Sequence, residues 1–266
     1  MDLAWVGGRA ALERYRAAPR TSIASGFRAF SEAGVFVAAQ GSEGEESQVC
    51  VTAGPARVRA SAGHMHADQL SFSWYVAGYE VVGDPGTLCY AGSSESRDRL
   101  RASASHSTAH PEGEELRGLL GGFRTGPGRR AQVVVQGNDW SGHLRLESGF
   151  EITRRIEFEA PERLSLEDVV VDESGRRIEW ALMLGSGALT RRDVSPHLLD
   201  LHQVTPVGGL TLRIESSAPV EWELDSVVGS YGYGVPREMG RVRAYLPGAE
   251  GGTIRSVMCL SRHPQS

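Results

Sequence analysis

The stretch Leu210-Thr211-Leu212-Arg213-Ile214 sets an apolar side chain at every second position, and His143-Leu144-Arg145-Leu146-Glu147 does the same. Successive side chains on an extended backbone point to opposite sides, so a period of two marks a strand with one buried and one wet face. Runs rich in β-branched and aromatic residues recur between clusters of Gly, Ser, Asp and Pro: Val35–Ala39, Val49–Ala53, Gln69–Val76, Tyr79–Val82, Ala131–Gln136, Leu144–Glu147, Phe150–Phe158, Leu164–Val171, Arg177–Leu184, Leu210–Glu215, Val220–Leu224 and Ile254–Leu260. This spacing predicts an all-β chain, a large antiparallel β-sandwich of stacked multi-stranded sheets, each with a solvent-exposed side. Residues 9–18 are good helix formers stopped by Pro19, which predicts one short N-terminal helix. The Gly-rich Leu119–Gly128 and the acidic Gly41–Ser47 read as surface connections.

The chain has 266 residues, 40% of them hydrophobic, enough to bury one large core. A formal net charge of −5 argues against a general nucleic-acid or membrane-surface binder, since neither polyanion would be attracted overall. All 28 basic residues are arginine, a residue suited to bidentate binding of carboxylates and sulfates, although a compositional bias explains it more simply. Cys50, Cys89 and Cys259 are odd in number and far apart, with no CxxC, so neither a disulfide framework nor a zinc knuckle is indicated. The first residues carry no basic n-region and no long apolar run, and no stretch approaches eighteen apolar residues, so neither an export signal nor a membrane-inserted helix is expected.

Groups able to bind a metal or move a proton concentrate in three segments. These are Gly63-His64-Met65-His66-Ala67-Asp68, Asp84-Pro85-Gly86, and Ser105-His106-Ser107-Thr108 with His110 beyond it. His64 and His66 share a side if the backbone there is extended, although a pair of polar residues on a wet strand face would look the same. Asp84 before Pro-Gly is equally a turn signal. A hairpin turning at Ala77-Gly78 would leave His66 and Asp84 about five residues apart along the ladder, roughly 17 Å at the usual rise. A shared metal then requires Gly63–Asp68 to leave the ladder and fold back, which Gly63 permits. There is no GxSxG elbow and no HExxH helix.

The run His64-Met65-His66-Ala67-Asp68-Gln69-Leu70-Ser71-Phe72, then Gly78, Asp84-Pro85-Gly86-Thr87 and Tyr90, then Arg101-Ala102-Ser103 leading into Ser105-His106-Ser107-Thr108, resembles the signature of the heparinase II/III-like polysaccharide lyases. Order, spacing and residue type match over about 50 residues, and Phe30–Val37 resembles the strand that opens the family's C-terminal β-domain. The resemblance implies a β-domain at 26–266 after a segment, 1–25, that ends an upstream α-helical toroid, with the active site in the cleft between toroid and β-domain. It implies a catalytic role for His64, a zinc ion on His66, Asp84 and His106, and Asp68 accepting from a histidine ring to fix its tautomer. Tyr90 and Arg101 would meet the substrate, Arg101 by pairing with a carboxylate or else by bracing the loop.

The implied reaction is β-elimination at a uronic acid of an acidic polysaccharide, with heparan-type chains, alginate and other uronates all compatible. The family's tyrosine on the toroid would share the acid and base work, and a periplasmic or secreted setting would follow for a longer protein. Two departures bear on the third ligand: Ser107 stands where the family has Asn, and His110-Pro111 where a hydrophobic strand is usual, which keeps His110 beside His106 as a candidate. A noncatalytic carbohydrate-binding or structural module with a structural zinc is the rival expectation. His143, His197, His202 and His263 stand singly and read as structural, and Tyr231-Gly232-Tyr233 as core before sugar-stacking surface.

Overall fold

The computed structural model describes residues 10, 13–14, 17, 25–42, 45–54, 65–89, 94–121, 123–232 and 234–262. The N-terminal helix falls mostly outside these residues; Ala10, Glu13, Arg14 and Ala17 are helical and exposed. In chain order the first half holds β1 (Phe27–Phe30), β2 (Val35–Gln40), β3 (Ser47–Thr52), β4 (Phe72–Val76), β5 (Tyr79–Val82), helix α1 (Ser94–Arg101), a 3₁₀ turn at Ser103–Ser105, β6 (Ala109–Pro111), β7 (Arg117–Leu119) and β8 (Thr125–Gly128). The second half holds β9 (Gln132–Gln136), β10 (Asp139–Arg145), β11 (Phe150–Ala160), β12 (Arg163–Asp172), β13 (Ile178–Leu184), β14 (Leu189–Ser195), β15 (Leu198–Thr205), β16 (Gly208–Ser216), β17 (Glu221–Gly232), β18 (Val235–Leu246) and β19 (Gly252–Arg262).

Among the described residues one sheet runs β1-β2-β3-β4-β5-β13-β18-β17, with β6 also paired to β13. A second runs β14-β15-β16-β19-β12-β11-β10-β9, and β7 and β8 form a small hairpin. Neighbours pair antiparallel throughout. The fold is the expected all-β sandwich. Phe36, Val51, Trp74, Trp180 and Val242 of the first sheet meet Trp140, Ile152, Phe158, Ile214 and Met258 of the second in one buried cluster. Phe36 and Trp140 stand edge to face with centroids 5.9 Å apart.

Two expectations are corrected. Leu119–Gly128 is not a plain surface connection, because its ends pair as β7 and β8. Nor is the first sheet wet along its whole outer side: β13 is buried at six of its seven positions. The segment after the 3₁₀ turn runs along its edge into β6, with Met183 N–H donating to Ser107 Oγ (3.0 Å) and Ala181 N–H to Thr108 O (2.9 Å).

The chain leaves the first sheet after β5 and rejoins it at β6 on the edge of β13, and the loops before β4, after β5 and before β6 form the site. One buried group ties them to the core. Arg154 of β11 and Asp168 of β12, both fully buried, form a two-pronged ion pair at 2.7 Å, with the Trp180 indole donating to Asp168 at 2.6 Å. The Arg154 guanidinium also donates to Leu70 O (2.6 Å) and Ser107 O, fixing both loops from below.

Candidate metal centre

The hairpin turns where expected, with Ala77 (φ 48°) and Gly78 (φ 76°) both left-handed. Past β5 the chain enters Gly83-Asp84-Pro85-Gly86, and Gly86 N–H donates to Asp84 Oδ1 at 2.9 Å. The turn that competed with a site as the meaning of this motif is therefore present, and it aims the carboxylate.

His66 is off the ladder, as a shared site requires. Its loop breaks from the sheet with Leu70 at φ 64° before β4 begins. The loop is stitched to the segment from α1 to β6: Ala67 N–H donates to Arg101 O (2.8 Å), Arg101 Nε to Met65 O (3.1 Å), Ser103 Oγ to Ala67 O (3.0 Å) and Thr108 Oγ1 to Gln69 O (2.8 Å). His66 is thereby held beside His106, their ring centroids 5.2 Å apart.

His66, Asp84 and His106 each offer a ligand atom, all within 4.8 Å of one another. His106 is fully buried and its Nδ1 donates to Asp84 Oδ2 at 2.6 Å. Its Nε2 is also buried and has no hydrogen-bond partner, an arrangement costly unless something occupies that nitrogen. Thr87 Oγ1 lies 3.2 Å from His66 Nε2.

Burial pushes His66 down to about 4, helped by the neighbouring His106, so its ring is neutral at ordinary pH, the state in which an imidazole binds metal. Burial opposes charge on His106 as well, but the Asp84 carboxylate outweighs it and raises the imidazole above its usual range. Asp84 is correspondingly held low by His106 against its own desolvation. Two imidazoles, one of them with a buried and unpartnered Nε2, and one carboxylate suit a borderline divalent cation.

His110, the other candidate third ligand, is outside this cluster. In β6 it pairs with Glu179 of β13, its Nδ1 beside Pro111 O. Asp68 is desolvated and close enough to His106 to raise it, but the carboxylate bonded to that ring is Asp84's. Arg101 is 2% exposed and its donors reach Met65 O, Asp98 and Arg124 O, the geometry of a loop brace. His64 and Tyr90 lie outside the described residues.

Thr87 stood in the signature run without a role, and Arg154 was not singled out from the sequence, since neither carries a local signal for the site. Beside Asp84 opens a cleft of about 500 Å³ lined by Tyr75, Tyr79, Glu80, Ser186 and Arg237 among others. Cys50, Cys89 and Cys259 are free thiols. No helix among the described residues is long and apolar enough to cross a membrane.

Fold and cluster together define a class: an antiparallel β-sandwich bearing a two-histidine, one-carboxylate centre on loops that leave one sheet. The profile of the family described as heparinase II/III-like, C-terminal, matches residues 23–254, and the chain belongs to that family. A solved heparinase III gene product superposes with a TM-score of 0.75 at 15% identity, covering 97% of this chain and 40% of that one. Heparan sulfate lyase HepC from Pedobacter heparinus superposes at 0.73 and 15% identity, covering 100% of this chain and 41% of that one. At these identities the likeness is one of fold. The chain spans about two fifths of the length of either structure. No curated protein matches it.

Proposed function

We propose that this chain is the metal-binding β-domain of a polysaccharide lyase that cleaves a uronate-containing acidic polysaccharide by β-elimination. The observation that carries the reading is the His66, Asp84 and His106 cluster, in a chain whose family match spans nearly all of the sandwich. Residues 26–266 are the β-domain, and residues 1–25 lead in from an α-helical partner domain. We assign the ion as zinc, held by those three residues.

In the elimination a base takes the C5 proton, the C5–H electron pair becomes the C4=C5 double bond, and the C4–O bond breaks as the glycosidic oxygen takes a proton. The C5 proton is weakly acidic, so charge developing on the uronate carboxylate has to be neutralised as the base acts. His64, two residues before His66, is assigned to that step as base or as neutralising donor, because an imidazole near neutrality does either. Tyr90 is assigned to substrate contact, and Arg101 acts by bracing the His66 loop. A bound zinc ion would supply fixed positive charge and tie together the three loops that carry His66, Asp84 and His106. Asp84 holds the His106 ring in one tautomer, and Arg154 holds the loop carbonyls beneath it.

The test is formation of C4=C5 unsaturated uronate, followed by its ultraviolet absorbance, from heparan sulfate and from alginate. The chain alone is expected to eliminate slowly, and faster when a helical toroid domain is supplied, with His64→Ala abolishing the gain. Fast elimination by the chain alone would overturn the need for a partner domain; none under any pairing would overturn the enzymatic reading.

The bonding of the His66 and His106 loops to buried Arg154 and Arg101 favours one second reading, a carbohydrate-binding or structural module that keeps the metal for stability. Polysaccharide binding unchanged by His64→Ala, with a Tm that falls on chelation, is its signature.

A further inference from the structure

We propose that the Glu80–Arg237 ion pair is a positioning device for Asp84, clamping its peptide so that the carboxylate faces His66 and His106. This rests on the metal-centre reading above. Asp84 sits where ordinary strand geometry fails. Pro85 has no N–H to donate, it steers the residue before it toward extended conformations, and Gly86 follows at φ 61°. Strands hold its flanks, with Gly83 N–H on Met183 O of β13 and Ser230 N–H of β17 on Pro85 O, but among the described residues no strand partner meets the peptide groups of Asp84 itself, which are held from elsewhere.

One ion pair holds both. Asp84 N–H points to Glu80 Oε1 at 3.4 Å, and Arg237 Nη2 donates to Asp84 O at 2.8 Å. Arg237 Nη1 donates to Glu80 Oε2, closing the loop between the two charges, and Tyr75 OH donates to Glu80 Oε1 at 2.8 Å. Glu80 and Arg237 are 10% and 7% exposed, so each charge depends on the other. Gly83 makes room: a Cβ there would lie 2.7 Å from Glu80 Cδ.

The pair spans 157 positions of sequence and joins β5 to β18. The tip of the β17–β18 hairpin grips the same loop, with Ser230 N–H on Pro85 O (2.9 Å) and Gly234 N–H on Leu88 O (2.6 Å). Neither Glu80 nor Arg237 is among the three clustered ligands. They act through Asp84, as groups that orient a ligand and whose loss typically weakens metal binding about 10–100-fold.

The experiment is titration of the metal-free chain with Zn²⁺ and with Co²⁺, reading affinity by calorimetry and ligand geometry by the visible absorption of bound cobalt. Wild type, Arg237→Met, Glu80→Gln and Arg255→Gln, an exposed pair on the far sheet, are compared, each with its circular dichroism. Arg237→Met is expected to bind at least tenfold more weakly with an altered cobalt spectrum, Glu80→Gln at least threefold more weakly, and Arg255→Gln like wild type. Folded Arg237→Met with wild-type affinity and spectrum overturns the clamp. If Arg237→Met does not fold, Glu80→Gln decides alone, and wild-type behaviour there overturns it. A wild-type chain that takes up neither metal overturns the metal reading and the clamp together, whereas metal uptake that no variant changes overturns the clamp alone.

Discussion

Replacing Asp168 with alanine leaves the Arg154 guanidinium in the core with its ion partner gone. Both side chains are fully buried, they share two hydrogen bonds of 2.7 Å, and Trp180 spends its indole N–H on the same carboxylate. Removing one member of a buried pair costs about 3–5 kcal/mol, because the other charge remains without compensation. The orphaned indole adds about 1 kcal/mol. Domain stabilities are about 5–15 kcal/mol, so Asp168→Ala should lose about a quarter of the total or more and fold marginally.

Urea unfolding followed by circular dichroism measures this, with the m-value serving as a check that the transition is unchanged in kind. In an Arg154→Met background the same change should cost far less, a coupling of up to about 3 kcal/mol, since no cation is left to strand. Arg154→Met itself should also weaken metal binding, because it releases Leu70 O and Ser107 O below the His66 and His106 loops. A loss below about 1 kcal/mol for Asp168→Ala at constant m, when buried pairs ordinarily cost several, would refute the reasoning.

Ala77 is exposed and left-handed at φ 48°, so Ala77→Gly should stabilise the hairpin by about 0.5–1 kcal/mol, read as a higher urea midpoint. Gly185→Ala would drive a Cβ into Glu80 O and should lower Tm clearly. Burial, with Glu179 beside it, raises Tyr245 from 10 to about 12. A raised value means the folded chain resists losing that proton, so this contribution is whole below pH 10 and is lost as pH climbs toward 12; Tyr245→Phe should delete a step near pH 12 from a tyrosinate titration. His110→Ala should leave metal uptake intact, since that ring is paired with β13 and not with the cluster.

Strands with one clean buried face were legible because burial writes a period of two into the sequence, as in Gly208–Ser216 and Phe150–Ala160. Leu189–Ser195 was not, because this edge strand is exposed at six of its seven positions and has no face to reveal. The helix Ser94–Arg101 was missed for a related reason: Leu100 is its one apolar residue, so no stripe marks it.

The site was legible as composition and not as geometry. Ladder arithmetic put His66 and Asp84 far apart, and only the departure of the Met65–Leu70 loop from β4 joins them. His106 and His110 differ in sequence only by position, and the β6 register sends one to Glu179 while the other meets Asp84. Arg237 lies 153 positions from the residue it holds, a relation no local pattern records.

The central claim is that His66, Asp84 and His106 hold one metal ion, and the most direct test is the metal content of the purified chain by inductively coupled plasma mass spectrometry, beside His66→Ala, Asp84→Ala and His106→Ala. The account predicts about one zinc per wild-type chain, as a single tetrahedral site would take, and loss in each folded variant. Well-folded wild-type protein that holds no metal after zinc is supplied, or variants that retain it, would contradict the account.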